Sequence, residues 1–100
     1  MITNDIEISK KIFELLSSGI QQEYESFEFI AHMREGYIET ELWATSDRVR
    51  STNVKAEFNG ATLCLLIEEL RASAQKRGDN WKLIKMSYEY GGKVDVRFGY

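Results

Sequence analysis

Residues 27–45, FEFIAHMREGYIETELWAT, decide the fold. Residues 27–34 and 37–45 alternate between apolar and polar side chains with period two, which is typical of half-buried strands. Glu35 and Gly36 separate them, and Gly36 can adopt the positive φ that a two-residue hairpin turn requires. Such a turn fixes the register of the hairpin. On its core side, the predicted pairs place Phe27, Phe29, Ala31 and Met33 beside Ala44, Leu42, Thr40 and Ile38.

The opposite side of this hairpin is predicted to be acidic and aromatic at once, because side chains alternate across a strand. It collects Glu28, Ile30, His32 and Arg34 beside Trp43, Glu41, Glu39 and Tyr37. The net charge of the chain is only -3 at pH 7. Residues 21–47, however, hold seven acidic residues against the single base Arg34. The charge asymmetry therefore lies in this one stretch.

Two amphipathic helices flank the hairpin. Residues 4–18 have an apolar stripe at helical spacing, with Asn4 and Glu7 as a capping box and Gly19 as the stop. A second helix is predicted from Asn59 or Gly60 to residue 77, ended by Gly78. Its apolar stripe comprises Leu63, Leu66, Ile67, Leu70 and Ala74.

The remaining segments predict a loop and a second hairpin. Residues 46–58 alternate weakly, so we expect a loop, with any third strand around residues 54–58. Residues 81–100 form a hairpin, and a three-residue loop at residues 91–93 keeps the apolar residues on one face, with a glycine in the left-handed conformation. This register sets Tyr90, Tyr88, Met86 and Ile84 beside Val94, Val96, Phe98 and Tyr100. Trp81, between helix and strand, is predicted to be core.

These elements predict a single α+β domain over residues 1–100. Its antiparallel sheet has four or five strands, two helices cover one sheet face, and the order is α-β-β-(β)-α-β-β. The length of 100 residues is typical of one domain. No apolar run approaches the roughly 20 residues that a membrane-spanning helix needs, and the first residues are acidic. A cytoplasmic location without membrane contact is therefore expected.

Candidate chemistry is sparse. His32 is the only histidine and Cys64 the only cysteine, and they fall on different elements. We therefore predict no catalytic residues, no metal site and no cofactor, and the protein is not expected to be an enzyme. Nucleic-acid binding is disfavoured because it needs a basic surface, and the sequence offers at most a small basic edge of Lys82, Lys85, Lys93 and Arg97.

The acidic strand face is open to more than one interpretation. Glu39 and Glu41 could in principle do acid/base work, but alternate residues on a solvated strand face usually only keep a protein soluble. Alternatively the face binds a basic protein partner, which Trp43 favours because aromatic anchors ringed by charge are typical of protein interfaces. The predicted partner-binding residues are Glu28, Ile30, His32, Tyr37, Glu39, Glu41, Trp43 and Asp47.

The last third of the chain, LCLLIEELRASAQKRGDNWKLIKMSYEYGGKVDVRFGY, resembles the YezG-type immunity proteins. The matching motif comprises Trp81, Gly92, Phe98 and Tyr100, which are scaffold positions. The resemblance implies a small cytosolic protein, encoded beside a polymorphic bacterial toxin such as those of contact-dependent growth inhibition systems. It further implies neutralisation of that toxin, often a nuclease, by occlusion. Acidic side chains would then imitate nucleic-acid phosphates or cover another essential surface.

Small acidic chaperones of type III secretion effectors are the alternative, because they are similar in element order, α-β-β-β-α-β-β. Resemblance to them implies a dimer that holds an unfolded effector segment. Such chaperones generally carry a further C-terminal helix, whereas this sequence stops at Tyr100 on a strand. The immunity protein is therefore the favoured expectation, and a small enzyme is the third class.

Overall fold

The computed structural model describes residues 3–100, with side chains from Asn4 onward, and confirms the predicted α+β fold. The order of elements is α-β-β-β-α-β-β. The two helices are α1 (Thr3–Gly19) and α2 (Gly60–Lys76). The strands are β1 (Ser26–Arg34), β2 (Tyr37–Ser46), β3 (Val49–Ser51), β4 (Leu83–Glu89) and β5 (Val94–Gly99).

The five strands form one antiparallel sheet in the order β3-β2-β1-β4-β5. The β1–β2 register is the predicted one, from Arg34 opposite Tyr37 to Phe27 opposite Ala44. Gly36 adopts a φ of 82° in the connecting turn, a left-handed value that favours glycine. The two-residue turn thus sets which side chains share each face of the hairpin.

The core lies between the helices and one face of the sheet. Phe27, Phe29 and Ala31 of β1 are almost fully buried there, as alternate residues of one strand must be when a single face is covered. Trp81 is also buried, with its ring centroid 5.2 Å from that of Phe98, which confirms its predicted place in the core. The helices contribute Ile8, Ile12, Leu16, Leu63, Ile67, Leu70 and Ala74.

Helix ends follow the prediction in α2 and depart from it in α1. The Asn59 side chain accepts a hydrogen bond from the Thr62 N–H, and Gly78 has a φ of 78° beyond the last turn. Helix α1 already includes Thr3, so Asn4 lies inside its first turn and the predicted capping position is wrong. Gly19 ends α1 at a point of close packing, where a Cβ atom would lie 2.8 Å from Cδ1 of Phe58.

A buried carboxylate joins the two helices. Asp5 of α1 is almost fully buried, and it accepts hydrogen bonds from the Ser73 hydroxyl (2.6 Å) and the Arg77 guanidinium (2.8 Å). Charge-assisted hydrogen bonds of this kind satisfy a carboxylate that burial would otherwise destabilise. The contact fixes the start of α1 against the end of α2, and the sequence pattern did not predict it.

The third strand lies earlier than predicted. Asp47 and Arg48 adopt φ values of 51° and 65°, so they form a two-residue turn, and β3 follows at Val49–Ser51. The Glu25 carboxylate accepts a hydrogen bond from the Arg48 N–H (3.0 Å), which holds this turn although neither residue is glycine. Residues 54–58 contribute an isolated bridge, Ile20 to Ala56, and the predicted strand position is wrong.

The β4–β5 register differs by two residues from the prediction. The structure pairs Tyr88 with Val94 and Ile84 with Phe98, so the predicted three-residue loop is wrong. The backbone N–H of Tyr90 donates to the Glu25 carbonyl oxygen (2.8 Å), which removes Tyr90 from the hairpin ladder and lengthens the loop. The left-handed glycine is confirmed as Gly91, with a φ of 80°. A shift of two residues preserves the face of every side chain.

Candidate functional site

The sheet face opposite the helices, here called the open face, carries most of the predicted partner-binding residues. Core side chains alternate with them along β1 and β2, and the register places Glu28 opposite Trp43, Ile30 opposite Glu41 and His32 opposite Glu39. Asp47 lies instead in the turn after β2. The structure therefore brings together Glu28, Ile30, His32, Tyr37, Glu39, Glu41 and Trp43, and places Asp47 beside them at one end of the sheet.

Ion pairs cover much of this face. Glu28 contacts Arg50 of β3 (2.9 Å) and Lys85 of β4 (3.7 Å). Arg34 and Glu39 form a third pair at 3.0 Å. His32 lies 3.3 Å from the carboxylate of Glu41, diagonally across the hairpin rather than directly opposite. The carboxylates that the sequence groups into one acidic stretch are thus interleaved with cations from other elements.

The open face is therefore of mixed charge rather than simply acidic. Register extends it across β4 and β5, where Lys85 lies opposite Arg97 and Ser87 opposite Asp95. Its acids, Glu28, Glu39, Glu41, Glu89 and Asp95, nearly equal its permanent cations, Arg34, Arg50, Lys85 and Arg97. Alternation within residues 81–100 could have placed Lys85 and Glu89 on this face. The sequence did not indicate that Arg50 lies on this face, because the turn before β3 was not predicted.

Trp43, on β2, is the largest partly exposed aromatic side chain of this face. The Arg50 guanidinium carbon lies 3.9 Å from the centre of its ring, a cation–π geometry. Glu28, opposite Trp43, also lines a shallow depression of about 370 Å³ with Ser87, Glu89 and Asp95. Ser26 and Lys93 also line this depression, which lies on the side of Glu28 toward β4 and β5.

Acidic residues without a cationic partner lie at one end of the sheet. Glu23, Glu25 and Asp47 take part in none of the ion pairs formed among residues 4–100. With Tyr24 and Ser46 they line a second depression of about 220 Å³. This end, here called the acidic end, carries the excess negative charge that the sequence placed on the hairpin face.

An aromatic cluster supports the acidic end. The Tyr24 ring lies 5.9 Å from that of Tyr90 and 5.6 Å from that of Phe27, both in edge-to-face geometry. Burial raises the pKa of Tyr24, and the phenols of Tyr88 and Tyr90 raise it further. Tyr24 therefore stays neutral through the physiological range and adds no charge to this end.

Other reactive groups are not gathered into a site. Cys64 is partly buried on α2, on an element remote in sequence from His32. Within the described part of the chain, no three His, Cys, Asp or Glu side chains are arranged to hold a metal ion. Neither α1 nor α2, the helices of residues 3–100, is long and apolar enough to cross a bilayer. A hydrogen bond with Asp79 raises the pKa of the exposed Tyr100 phenol.

No protein-family model matches this chain, and no curated protein matches it either. The YezG-type relationship suggested by residues 63–100 stays a prediction.

Proposed function

We propose that this protein is an immunity protein of the YezG type, which binds and neutralises a cognate bacterial toxin domain in the cytoplasm by occluding it. The observation that carries the proposal is the open face, where Trp43 lies partly exposed on the side of the sheet opposite α1 and α2. The proposed partner is a folded, basic protein domain, such as a nuclease. The protein itself contributes binding and no chemical step.

The first support is the choice of residues on the open face. Trp and Arg are residues that often carry binding energy at protein interfaces, and here Trp43 and Arg50 are stacked on one exposed surface, toward its β3 edge. Ile30 adds apolar area beside them. A surface that only maintains solubility has no need of a tryptophan, whereas an interface gains from a rigid ring that is held in position before binding.

The second support is the arrangement of charge. Glu28 contacts both Arg50 and Lys85, so its carboxylate holds these two cations in place on the open face. The unpaired Glu23, Glu25 and Asp47 of the acidic end leave negative charge available to attract a basic domain from a distance. We expect the open face to supply affinity and the acidic end to speed association.

A protection assay tests the proposal. The toxin domain encoded beside this gene is expressed in a bacterial host, with and without this protein, and survival is scored. The wild-type protein is expected to restore growth. A triple variant, Glu39→Ala/Glu41→Ala/Trp43→Ala, is expected to lose protection while it remains folded, because the open face lies outside the core.

The matched control removes the same kinds of side chain elsewhere. Glu14→Ala/Leu65→Ala/Glu69→Ala takes two carboxylates and one exposed apolar residue from the helices. This control is expected to protect as well as the wild type. Full protection by the open-face variant would remove this surface from the proposal, and a neighbouring gene whose product is harmless would contradict the immunity function itself.

The secretion chaperone is the second candidate, because the observed element order, α-β-β-β-α-β-β, is the one on which that likeness rests. The two functions differ in the state of the bound partner. Proteolysis of the complex separates them: a folded toxin domain stays resistant in the bound state, whereas a chaperone holds an extended effector segment that is unfolded when free.

A further inference from the structure

Strand β5 forms one edge of the sheet along its whole length of six residues, Val94–Gly99. The opposite edge is divided between two strands, because the three residues of β3 pair only with Ala44–Ser46 of β2. Among the described residues no strand pairs with the outer side of β5. An edge strand of this length presents a row of unpaired N–H and C=O groups that can pair with a further strand.

Both faces of β5 carry side chains suited to such pairing. On the core side, Val96 and Phe98 are partly buried, and Val94 is 38% exposed, so the apolar layer is unfinished at this edge. On the open side, Asp95 and Arg97 project into solvent and contact each other at 2.8 Å, with 55% and 78% of their side chains exposed. The edge thus combines apolar residues with one charge of each sign.

We propose that β5 pairs antiparallel with β5 of a second copy of this chain, with Val96 on the twofold axis. In this register Asp95 of each copy lies opposite Arg97 of the other, and Val94 lies opposite Phe98. Directly opposite residues of an antiparallel pair interact, and opposite charges there are stabilising. The sequence of β5 is self-complementary about its centre, which is what a twofold interface requires.

Neighbouring registers lack this complementarity. A twofold axis at Asp95 sets that carboxylate against its own copy and Lys93 against Arg97. An axis at Arg97 sets two guanidinium groups against each other. Shifts by one residue are excluded by the backbone, because only alternate residues of β5 point their N–H and C=O groups outward and these must lie opposite each other. Charge and backbone alternation therefore select the register centred on Val96.

The pairing would join two five-stranded sheets into one of ten strands, with both helix layers on one side. Both open faces then lie on the other side, and the dimer contact involves their Asp95 and Arg97 but leaves the β1–β2 part with Trp43 uncovered. The inference therefore does not rest on the immunity function. A dimer of this kind would offer two copies of the open face to partners.

Sedimentation velocity over a range of concentrations tests the proposal. The wild-type chain is expected to form a species of twice the 11.6 kDa chain mass. Asp95→Arg and Arg97→Asp are each expected to weaken the dimer about tenfold or more, because two attractive pairs become repulsive. The control Glu69→Arg makes the same acid-to-base change as Asp95→Arg, at an exposed residue of α2. It is expected to dimerise normally.

Mixing the two weakened variants makes the test independent of folding defects. The Asp95→Arg variant has a cation at both positions, 95 and 97, and the Arg97→Asp variant has an acid at both. A mixed dimer therefore restores both attractive pairs. We expect the mixture to dimerise although neither variant does so alone, and the double variant Asp95→Arg/Arg97→Asp to regain the wild-type association. A monomeric wild type, or a mixture that stays monomeric, would overturn the proposal.

Discussion

The two faces of the sheet are built from the same strands and differ in what they contribute to the molecule. On β1, Phe29 is buried against the helices, while its neighbour Ile30 lies on the open face among ion pairs. The covered face is apolar and holds the fold together. The open face is polar, carries nearly equal numbers of acidic and basic side chains, and lies outside the core. Substitutions on the open face are therefore expected to leave the fold intact, as a binding surface requires.

The largest expected effect compares two neighbours on β1. Phe29→Ala is expected to lower the free energy of unfolding by about 3–5 kcal/mol, because a fully buried ring leaves a cavity among the helices. Ile30→Ala, on the open face, is expected to lower it by about 1 kcal/mol or less. Urea denaturation of both variants measures the difference. Equal losses would contradict the division between the faces.

The buried carboxylate gives the next largest effect. Asp5→Ala is expected to destabilise the protein by about 2 kcal/mol, because it removes the acceptor of the Ser73 and Arg77 hydrogen bonds. Arg77 is 38% exposed and can regain water, which keeps the loss below that of a fully buried pair. Thermal unfolding checks this value. No change in stability would show that the contact does not hold the helices together.

Two glycines at helix ends differ in how closely other atoms pack against them. Gly19→Ala is expected to cost about 1–3 kcal/mol, because the added Cβ would press on the Phe58 ring and the Glu57 carbonyl. Gly60→Ala, at the start of α2, meets nothing within 4 Å and is expected to be neutral or slightly stabilising. The midpoint of chemical denaturation reports both. A neutral Gly19→Ala would mean that segment 57–58 yields easily.

The smallest effect is expected from the ion pairs of the open face. Arg50→Ala removes the contacts with Glu28 and Trp43 and is expected to lower stability by about 1 kcal/mol or less, since both charges are partly hydrated. High salt should reduce the difference between variant and wild type. A loss above about 2 kcal/mol would show that this surface is part of the structural framework.

The sequence predicted those features that short-range rules determine. The β1–β2 register follows from a two-residue turn at Gly36, and the core positions of both helices follow from their spacing. The β4–β5 register could not be predicted in this way, because Tyr90 is drawn out of its hairpin by the Glu25 carbonyl, which is distant in sequence. Likewise Asp47 and Arg48 turn without glycine because Glu25 holds the Arg48 N–H.

The charge of the candidate site was predicted only in part for the same reason. Counting along residues 21–47 finds the acids of the hairpin and Arg34. The cations that pair with Glu28 come from β3 and β4, and they reach it through the topology of the sheet. The excess of negative charge therefore appears at the acidic end, around Glu23, Glu25 and Asp47, rather than across the open face.

Calorimetric titration of the purified toxin domain encoded beside this gene tests whether the open face is the binding surface. We expect each chain of the wild type to bind one toxin domain. We expect an affinity at least about a hundredfold weaker for Glu39→Ala/Glu41→Ala/Trp43→Ala, the loss that follows from removing an interface hot spot of nearly 3 kcal/mol. The variant should still unfold cooperatively. Unchanged affinity in that variant would contradict the claim that the open face is the binding surface.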